Sequence, residues 1–490
     1  MTANHRPRRI TVVQLARFGD VIQTSPLLHS LRRSREPCEI TLVVDARSAP
    51  AAHLLAGVDR VLEIDLEAAA RVARTPGLQA MQALRRWVDS WRPEEPADLL
   101  LLLNLGTLPA SIGALLPAGE VHGPRMGVPL PGPHRLLQAA LRDRLYDPLH
   151  LSEIWAAYAP PAWPLREPEL KRGVLGTRIA LLGLEESPKV RIDNRFALNV
   201  GAGAAGRRLG EEKLADLAVA LLRGGAGEVV LLGGRVDRET GEAVCGAIPA
   251  GLRPRVRNLV GKTLLEELPA LLARCAVLIS SDTGTLQLAA ATSAIPLGLF
   301  FGGANPHETG PYSSRAIALV DRETLQAAEE DATEQAASRF DMEQVARVAL
   351  AAAKGNRDWR TGDETASVHL LVARPGPVGL EYRSAAAGGC DPLAQGRRWR
   401  PLLRRLLWGV RPPGGAAPWE MDGRQGENAG GDESRVLNRL LTGGKALAGE
   451  FGREERWLAG ILNSFPEEVE EVREWFLAAA GEPTSREVLA

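Results

Sequence analysis

The sequence predicts an α/β protein made of two parallel-sheet units in series. Three observations point there. Short apolar runs alternate with longer helical patterns, the runs are apolar at successive residues rather than at every second one, and the alternation occurs twice with a proline-rich break between. A strand that is apolar on both faces needs cover on both, and helices crossing over a parallel sheet supply it.

The first series is ITVVQLA (10–16), EITLVV (39–44), RVLEI (60–64) and DLLLLLN (98–104). A break follows at Pro160, Pro161, Pro164 and Pro168, residues that fit neither a helix interior nor a central strand. The second series is RFALNV (195–200), EVVLLG (228–233), AVLIS (276–280) and PLGLFF (296–301), with helical stretches such as 211–222 between. Beyond Lys354 the alternation stops, and the stretch 361–432 is rich in Gly, Pro and Arg, the composition of a linker. Helical order returns near the end: Ser464 and Glu467 form a capping box, Pro466 sits in a first turn, and Val469, Val472, Trp475, Phe476 and Ala479 recur at helical spacing. The expected organisation is therefore 1–164 and 165–354 as two sheet domains, 355–432 as a partly disordered linker and 433–490 as a helical extension.

Composition narrows the function. Across 490 residues, 59 Lys+Arg meet 60 Asp+Glu, so the net charge of −1 gives no global attraction to nucleic acid or to an anionic membrane. Cys38, Cys245, Cys275 and Cys390 form no CxxC pair and have no clustered His, which argues against a zinc site and a disulfide framework and fits a reducing cytoplasm. The basic start MTANHRPRR runs straight into a strand pattern without an apolar signal core. The uncharged stretches 99–119 and 283–306 are broken by Asn104, Pro109, Gln287 and Pro296, and neither reads as a membrane span.

Three strand-to-helix turns carry candidate chemistry. In LARFGDVIQTSPLL (15–28) a buried strand ends, Gly19 allows a tight turn and Asp20 opens a helix; Asp20 is then either a helix cap or a carboxylate at the ligand-binding end of the sheet. In NVGAGAAGRRLGEEKL (199–214), Gly201, Gly203 and Gly206 spell GxGxxG, yet the next strand ends in Gly-Gly rather than in the acid a dinucleotide site needs. With Arg207 and Arg208 behind it, this turn reads as an anion cradle or as a glycine-tolerant loop with solvated arginines. In ISSDTGTLQLAAA (279–291), Thr283 and Gly284 begin a helix whose first amides suit a diphosphate, and Asp282 either caps that helix or accepts from a substrate hydroxyl. GKTLLEEL (261–268) carries Thr263 and Glu266 as a helix-start capping box but lacks the glycine spacing of a P-loop. FFGGANPHETGPY (300–312) is a turn-rich loop placed to face a cleft.

These five motifs, in this order, make the chain resemble the bacterial heptosyltransferase family, glycosyltransferase family nine, over residues 9–353. The resemblance implies a GT-B architecture: two Rossmann-like domains across a cleft, the second holding a nucleotide sugar and the first an acceptor. It implies transfer of heptose from an ADP-linked donor to a lipopolysaccharide core, with inversion and without a metal or any other cofactor. By position it makes Asp20 the general base, with Arg17 and Gly19 on the acceptor-side loop. Gly201, Gly203, Arg207 and Arg208 fall at the diphosphate, Asp237 at the ribose with Glu239 close by, and Asp282, Thr283 and Gly284 at the donor sugar and diphosphate. The chain departs from the family in having Gln287 where a His is usual and Leu209 where an aromatic is usual. Gln keeps hydrogen bonding but cannot become cationic, so altered donor choice, weak activity or a sugar-binding module without turnover stays open beside the transferase.

The expected partners are a nucleotide-sugar donor and a glycolipid or glycan acceptor, with no nucleic acid. One feature lies outside the resemblance. Between Arg397 and Arg411, arginines alternate with Trp399, Leu402, Leu403, Leu406, Trp408 and Val410, and Pro401 sits where a first helical turn tolerates it. A short basic amphipathic segment of this kind suits weak peripheral contact with the anionic inner membrane, or packing on the C-terminal helices.

Overall fold

The computed structural model describes residues 6–33, 36–74, 78–125, 149–159, 165–176, 194–203, 205–321, 339–356, 368–376 and 379–385. The first sheet contains β1 (Arg8–Gln14), β2 (Cys38–Asp45), β3 (Arg60–Ile64), β4 (Ala97–Leu102) and β5 (Ala118–His122), with α1 (Phe18–Gln23), α2 (Ser25–Arg32), α3 (Ala49–Leu54), α4 (Leu66–Ala73), α5 (Leu78–Asp89) and α6 (Thr107–Leu115) in the connections. Its order is β3-β2-β1-β4-β5 and every neighbouring pair is parallel. The unbroken apolar runs are explained by cover on both faces. Val12 of β1 packs in a cluster with Val21, Leu27 and Leu28, while its neighbour Val13 packs in another with Leu84, Val88 and Ile112.

α7 (Leu151–Ala156) precedes the second sheet, which contains β6 (Arg195–Asn199), β7 (Glu228–Leu232), β8 (Val256–Asn258), β9 (Val277–Ser281), β10 (Ile295–Phe300), β11 (Ile317–Asp321), β12 (Val368–Pro375) and β13 (Leu380–Ser384). Its helices are α8 (Glu211–Arg223), α9 (Arg238–Ala247), α10 (Leu268–Leu272), α11 (Gly284–Ala290), α12 (Pro306–Thr309) and α13 (Met342–Ala353). The order is β13-β12-β11-β10-β9-β6-β7-β8. From β11 to β8 the pairs are parallel, in the doubly wound order of a nucleotide-binding sheet. The two domains share an apolar contact: Val44 and Leu101 of the first and Leu232, Leu278 and Leu288 of the second belong to one buried cluster.

The structure corrects the expected linker in one part. Val368–Pro375 and Leu380–Ser384 are not linker but two antiparallel strands that extend the second sheet beyond β11. Leu370, Leu371 and Tyr382 are buried there. The stretch after the proline break is also more divided than a boundary at 164/165 implies. Leu170 bridges to Leu55 and the Lys171 amide donates to the Leu54 carbonyl (2.8 Å) in the first domain, whereas Glu167 accepts from the Ser314 amide (2.6 Å) in the second. The expected helix start at Thr263 is four to five residues early. Glu267, not Glu266, accepts from the Leu264 amide (2.8 Å) in a turn, and α10 begins at Leu268. The basic segment 397–411 and the helix expected after Ser464 lie outside the described residues.

Candidate active site

Strand order reverses at β1/β4 in the first sheet and at β6/β9 in the second, and ligands of open α/β sheets bind at the carboxyl ends of strands flanking such a reversal. All three candidate turns stand there. In the first domain a buried amide network fixes the turn after β1. Asn104 Nδ2 donates to Gln14 Oε1 (2.5 Å), Asn104 Oδ1 accepts from the Leu15 amide (2.6 Å), and Gln14 Nε2 donates to Thr24 Oγ1 (3.3 Å). α1 starts at Phe18, with Asp20 in its first turn accepting the Arg17 amide through Oδ2 (3.0 Å). Asp20 is thus a capping residue by geometry, and burial still drives its carboxyl above the ordinary value of 3.8 against the Arg17 amide and guanidinium, which pull it down.

In the second domain Asn199 does the corresponding work. Its Nδ2 donates to the Gly201 carbonyl (2.9 Å) and to Ser280 Oγ (3.1 Å), and Ser280 in turn bonds Thr283 Oγ1 (2.8 Å), so the turns after β6 and β9 are tied together from below. Above them Arg207 Nη1 donates to Asp282 Oδ2 (3.1 Å) and Arg208 Nη2 to Asp237 Oδ1 (3.1 Å). Asp237 Oδ2 also accepts the Gly234 amide (2.9 Å), and the carboxylate lies so close to Gly201 that a Cβ there would collide with it. Asp282 does not cap α11, whose N-cap is Thr283. Burial pushes the Asp282 carboxyl up to about 6; the nearby Asp20 and Glu308 charges add to this, and Arg207 and the Thr309 hydroxyl oppose it.

The two turns meet. α1 packs on α11 so that Gly19 and Gly284 face each other: a Cβ on Gly19 would stand 3.3 Å from the Gly284 Cα, and one on Gly284 would run into the Phe18 ring. Gly19 has no left-handed backbone, so the tight turn expected of it is corrected; its bare α-carbon serves a close approach between domains. Asp20 stands in the first turn of α1 and Asp282 just before the N-cap of α11, so each carboxylate lies at a helix amino end with its partial positive charge, and the Asp20 charge is felt at Asp282.

Of the sequence-predicted residues, Gly19, Asp20, Arg207, Asp282, Thr283 and Gly284 therefore converge, and Arg17, on the same turn as Asp20, is exposed. Gly201, Arg208 and Asp237 form an adjacent group, while Gly203 borders open space. Sequence reasoning missed Gln23 and Thr309. Thr309 Oγ1 has two acceptors in reach, the Asn305 carbonyl (3.3 Å) and Asp282 Oδ2 (3.4 Å), and its own carbonyl receives Gln23 Nε2 (3.1 Å) from the first domain and Gln287 Nε2 from the second. Thr309 lies inside the turn-rich loop 300–312, so the loop was visible but not its contact. Away from both switch points, a cavity of about 450 Å³ opens between 165–169, Tyr312 and the β12–β13 hairpin.

Residues 196–338 match the sequence profile of glycosyltransferase family 9 (heptosyltransferase). The match lies wholly within the second sheet domain. The chain is 36% identical over 99 residues to lipooligosaccharide heptosyltransferase 2 of Haemophilus influenzae and 35% identical over 102 residues to lipopolysaccharide heptosyltransferase 2 of Salmonella typhimurium. The matches span 20% and 21% of this chain and 28% and 29% of those relatives, so less than a third of each relative's length is matched. The fold likeness reaches further than the matched residues 196–338. A family 9 glycosyl transferase from Veillonella parvula superposes with a TM-score of 0.54 at 18% identity, covering 71% of this chain and 97% of that one. ADP-heptose lipopolysaccharide heptosyltransferase II of E. coli superposes at 0.51 and 19% identity, covering 71% and 99%. The architecture is GT-B, two Rossmann-like domains joined across a cleft, with the matched residues 196–338 in the second.

Proposed function

We propose that the chain is an inverting glycosyltransferase that moves a sugar, heptose from ADP-heptose, onto a lipopolysaccharide-core or related glycan acceptor without a metal, at the cytoplasmic face of the inner membrane. The observation that carries the reading is the meeting of Asp20, from the first switch point, with the Arg207–Asp282 pair from the second. Asp20 takes the proton of the acceptor hydroxyl as that oxygen forms its bond to the anomeric carbon and the bond to the diphosphate breaks; a carboxylate raised by burial is a better base for this than a solvated one. Negative charge then grows on the departing diphosphate. Arg207 and Arg208 neutralise it with charge-assisted hydrogen bonds, exchanging the carboxylates they now hold, while the amides of Thr283 and Gly284 add their dipole. Asp282 accepts from a hydroxyl of the donor sugar and Asp237 from the ribose.

Gln287 supports a second reading, a weak or inactive relative that binds donor without turnover. Its amide donates to the Thr309 carbonyl, and it cannot become cationic beside a leaving diphosphate. Melting the full chain with ADP-heptose, UDP-sugars and GDP-sugars separates the possibilities, since only a ligand of the folded state raises the melting temperature. The transferase reading expects stabilisation by the ADP sugar and release of ADP with acceptor. Stabilisation without ADP release favours the inactive relative, and stabilisation by none of them removes both.

A further inference from the structure

The hairpin β12–β13, which follows the matched family 9 region, reaches back to the loop that touches Asp282. Tyr382 of β13 is buried with its ring against Gly310, where a Cβ would come within 2.7 Å of the ring carbons. Its hydroxyl donates to the Pro311 carbonyl (2.8 Å), and its ring meets His307 edge-on at 6.1 Å. The neighbouring strand end adds a second tie, because the Leu380 amide donates to Tyr312 Oη (3.3 Å). Between these anchors lies Thr309, whose hydroxyl reaches Asp282 and whose carbonyl receives Gln23 and Gln287. From the first domain, His150 Nε2 bonds the Gly310 carbonyl (2.6 Å), so Gly310 is held from both sides.

We propose that Tyr382 is a positioning residue for the active site: through the Gly310–Pro311 turn it holds the Thr309 hydroxyl on Asp282, so an appended hairpin sets the state of a donor-site carboxylate. The proposal rests on the donor-site role given to Asp282 above. The physical reason is distance. At 3.4 Å the Thr309 hydroxyl is farther from Asp282 Oδ2 than an ordinary hydroxyl-to-carboxylate bond, and its one proton can go instead to the Asn305 carbonyl at 3.3 Å, so a small retreat of the loop turns it away from the carboxylate. Asp282 is faced by Arg207 from the turn after β6, by Asp20 from α1, by Thr309 and Glu308 from α12 and by Tyr382 from β13. Among the described residues, Arg207 first and then the Thr309 hydroxyl favour its charged form. Loss of the Thr309 contact therefore moves its titration upward from about 6.

The test is a titration of the Asp282 carboxyl in the full chain by ¹³C NMR with labelled aspartate, assigned with Asp282→Asn, in wild type, Tyr382→Phe and Thr309→Val. Tyr382→Phe keeps the ring that fills the space over Gly310, and its fold is checked by melting. Both variants are expected to titrate higher than wild type, with ADP affinity unchanged. Where turnover is measured, the acid limb of kcat/KM for the donor sugar should shift to higher pH, with kcat/KM near pH 6 falling about fivefold. A Tyr382→Phe titration coincident with wild type while Thr309→Val shifts would overturn the role of Tyr382, and an unshifted Thr309→Val would overturn the link itself. Absence of turnover in wild type with every donor would instead count against the transferase reading, and the carboxyl titration would still decide the positioning role.

Discussion

Gly19 of the first domain and Gly284 of the second meet with no side chain between them, and a Cβ added to Gly284 would stand 3.2 Å from the Gly19 amide nitrogen. The contact brings the acid of one switch point to the ion pair of the other.

Gly284→Ala is expected to push the Phe18 ring away and open the interface, because the nearest obstacles are a ring and backbone. Misplacement of the two halves by about 1 Å costs on the order of 10²-fold in rate. Donor turnover should fall by that order, with a melting temperature lowered by the few degrees that about 1–3 kcal/mol of overpacking costs, read by steady-state kinetics at a temperature where the variant is folded. Wild-type turnover in the alanine variant would show that the close approach does not serve catalysis.

Arg207→Ala removes the cation from a mostly buried pair, with 17% of its side chain and 11% of that of Asp282 exposed. ADP affinity should fall about tenfold or more, since charge-assisted bonds to phosphate contribute about 1.5–3 kcal/mol each. Arg208→Ala should weaken ADP less, its side chain being 40% exposed and its partner Asp237 held independently by the Gly234 amide. Calorimetry with ADP ranks the two, and equal losses would place both guanidiniums on the diphosphate alike.

Asp282 also makes stability depend on pH. Its folded value, about 6, lies above the ordinary 3.8, so the folded chain holds a proton that the unfolded chain releases first. Stability from this group is therefore greatest below pH 3.8, declines as pH rises through the window from about 4 to 6, and the cost is complete above it. The gap corresponds to about 3 kcal/mol at most. Asp282→Asn should then melt higher than wild type at pH 7.5 by an amount that shrinks toward pH 4, less whatever the lost Arg207 pair contributes. A pH-independent difference would mean that the carboxyl is not protonated in the folded state within this window.

Much of this was legible in the sequence because it is local. Unbroken apolar runs marked central strands such as β1, β4 and β9, since burial on both faces leaves no polar positions. β5, with the pattern AGEVH, and the three-residue β8 were not read, being short edge strands whose exposed residues break the run. β12 was passed over because its apolar stretch VHLLVA sits within Gly, Pro and Arg-rich flanks, and its identity depends on pairing with β11. Asp20, Arg207 and Asp282 could be found because a strand, a small turn and a helix stand together in the chain. The Gly19–Gly284 approach could not, since nothing local distinguishes a glycine needed for a turn from one needed for a neighbour 265 positions away. The same holds for Gln287: its type was noticed, but its use depends on where the Thr309 carbonyl lies.

The most direct test pairs turnover with donor binding in Asp20→Asn. Asn keeps the size of the side chain and a carbonyl oxygen for the Arg17 amide, so the fold and the donor site are preserved while the proton acceptor is lost. With ADP-heptose and acceptor, the expected result is a fall in kcat of about 10²–10⁴ with donor affinity unchanged. Turnover near wild type would contradict the assignment of Asp20 as base and leave it a cap for α1.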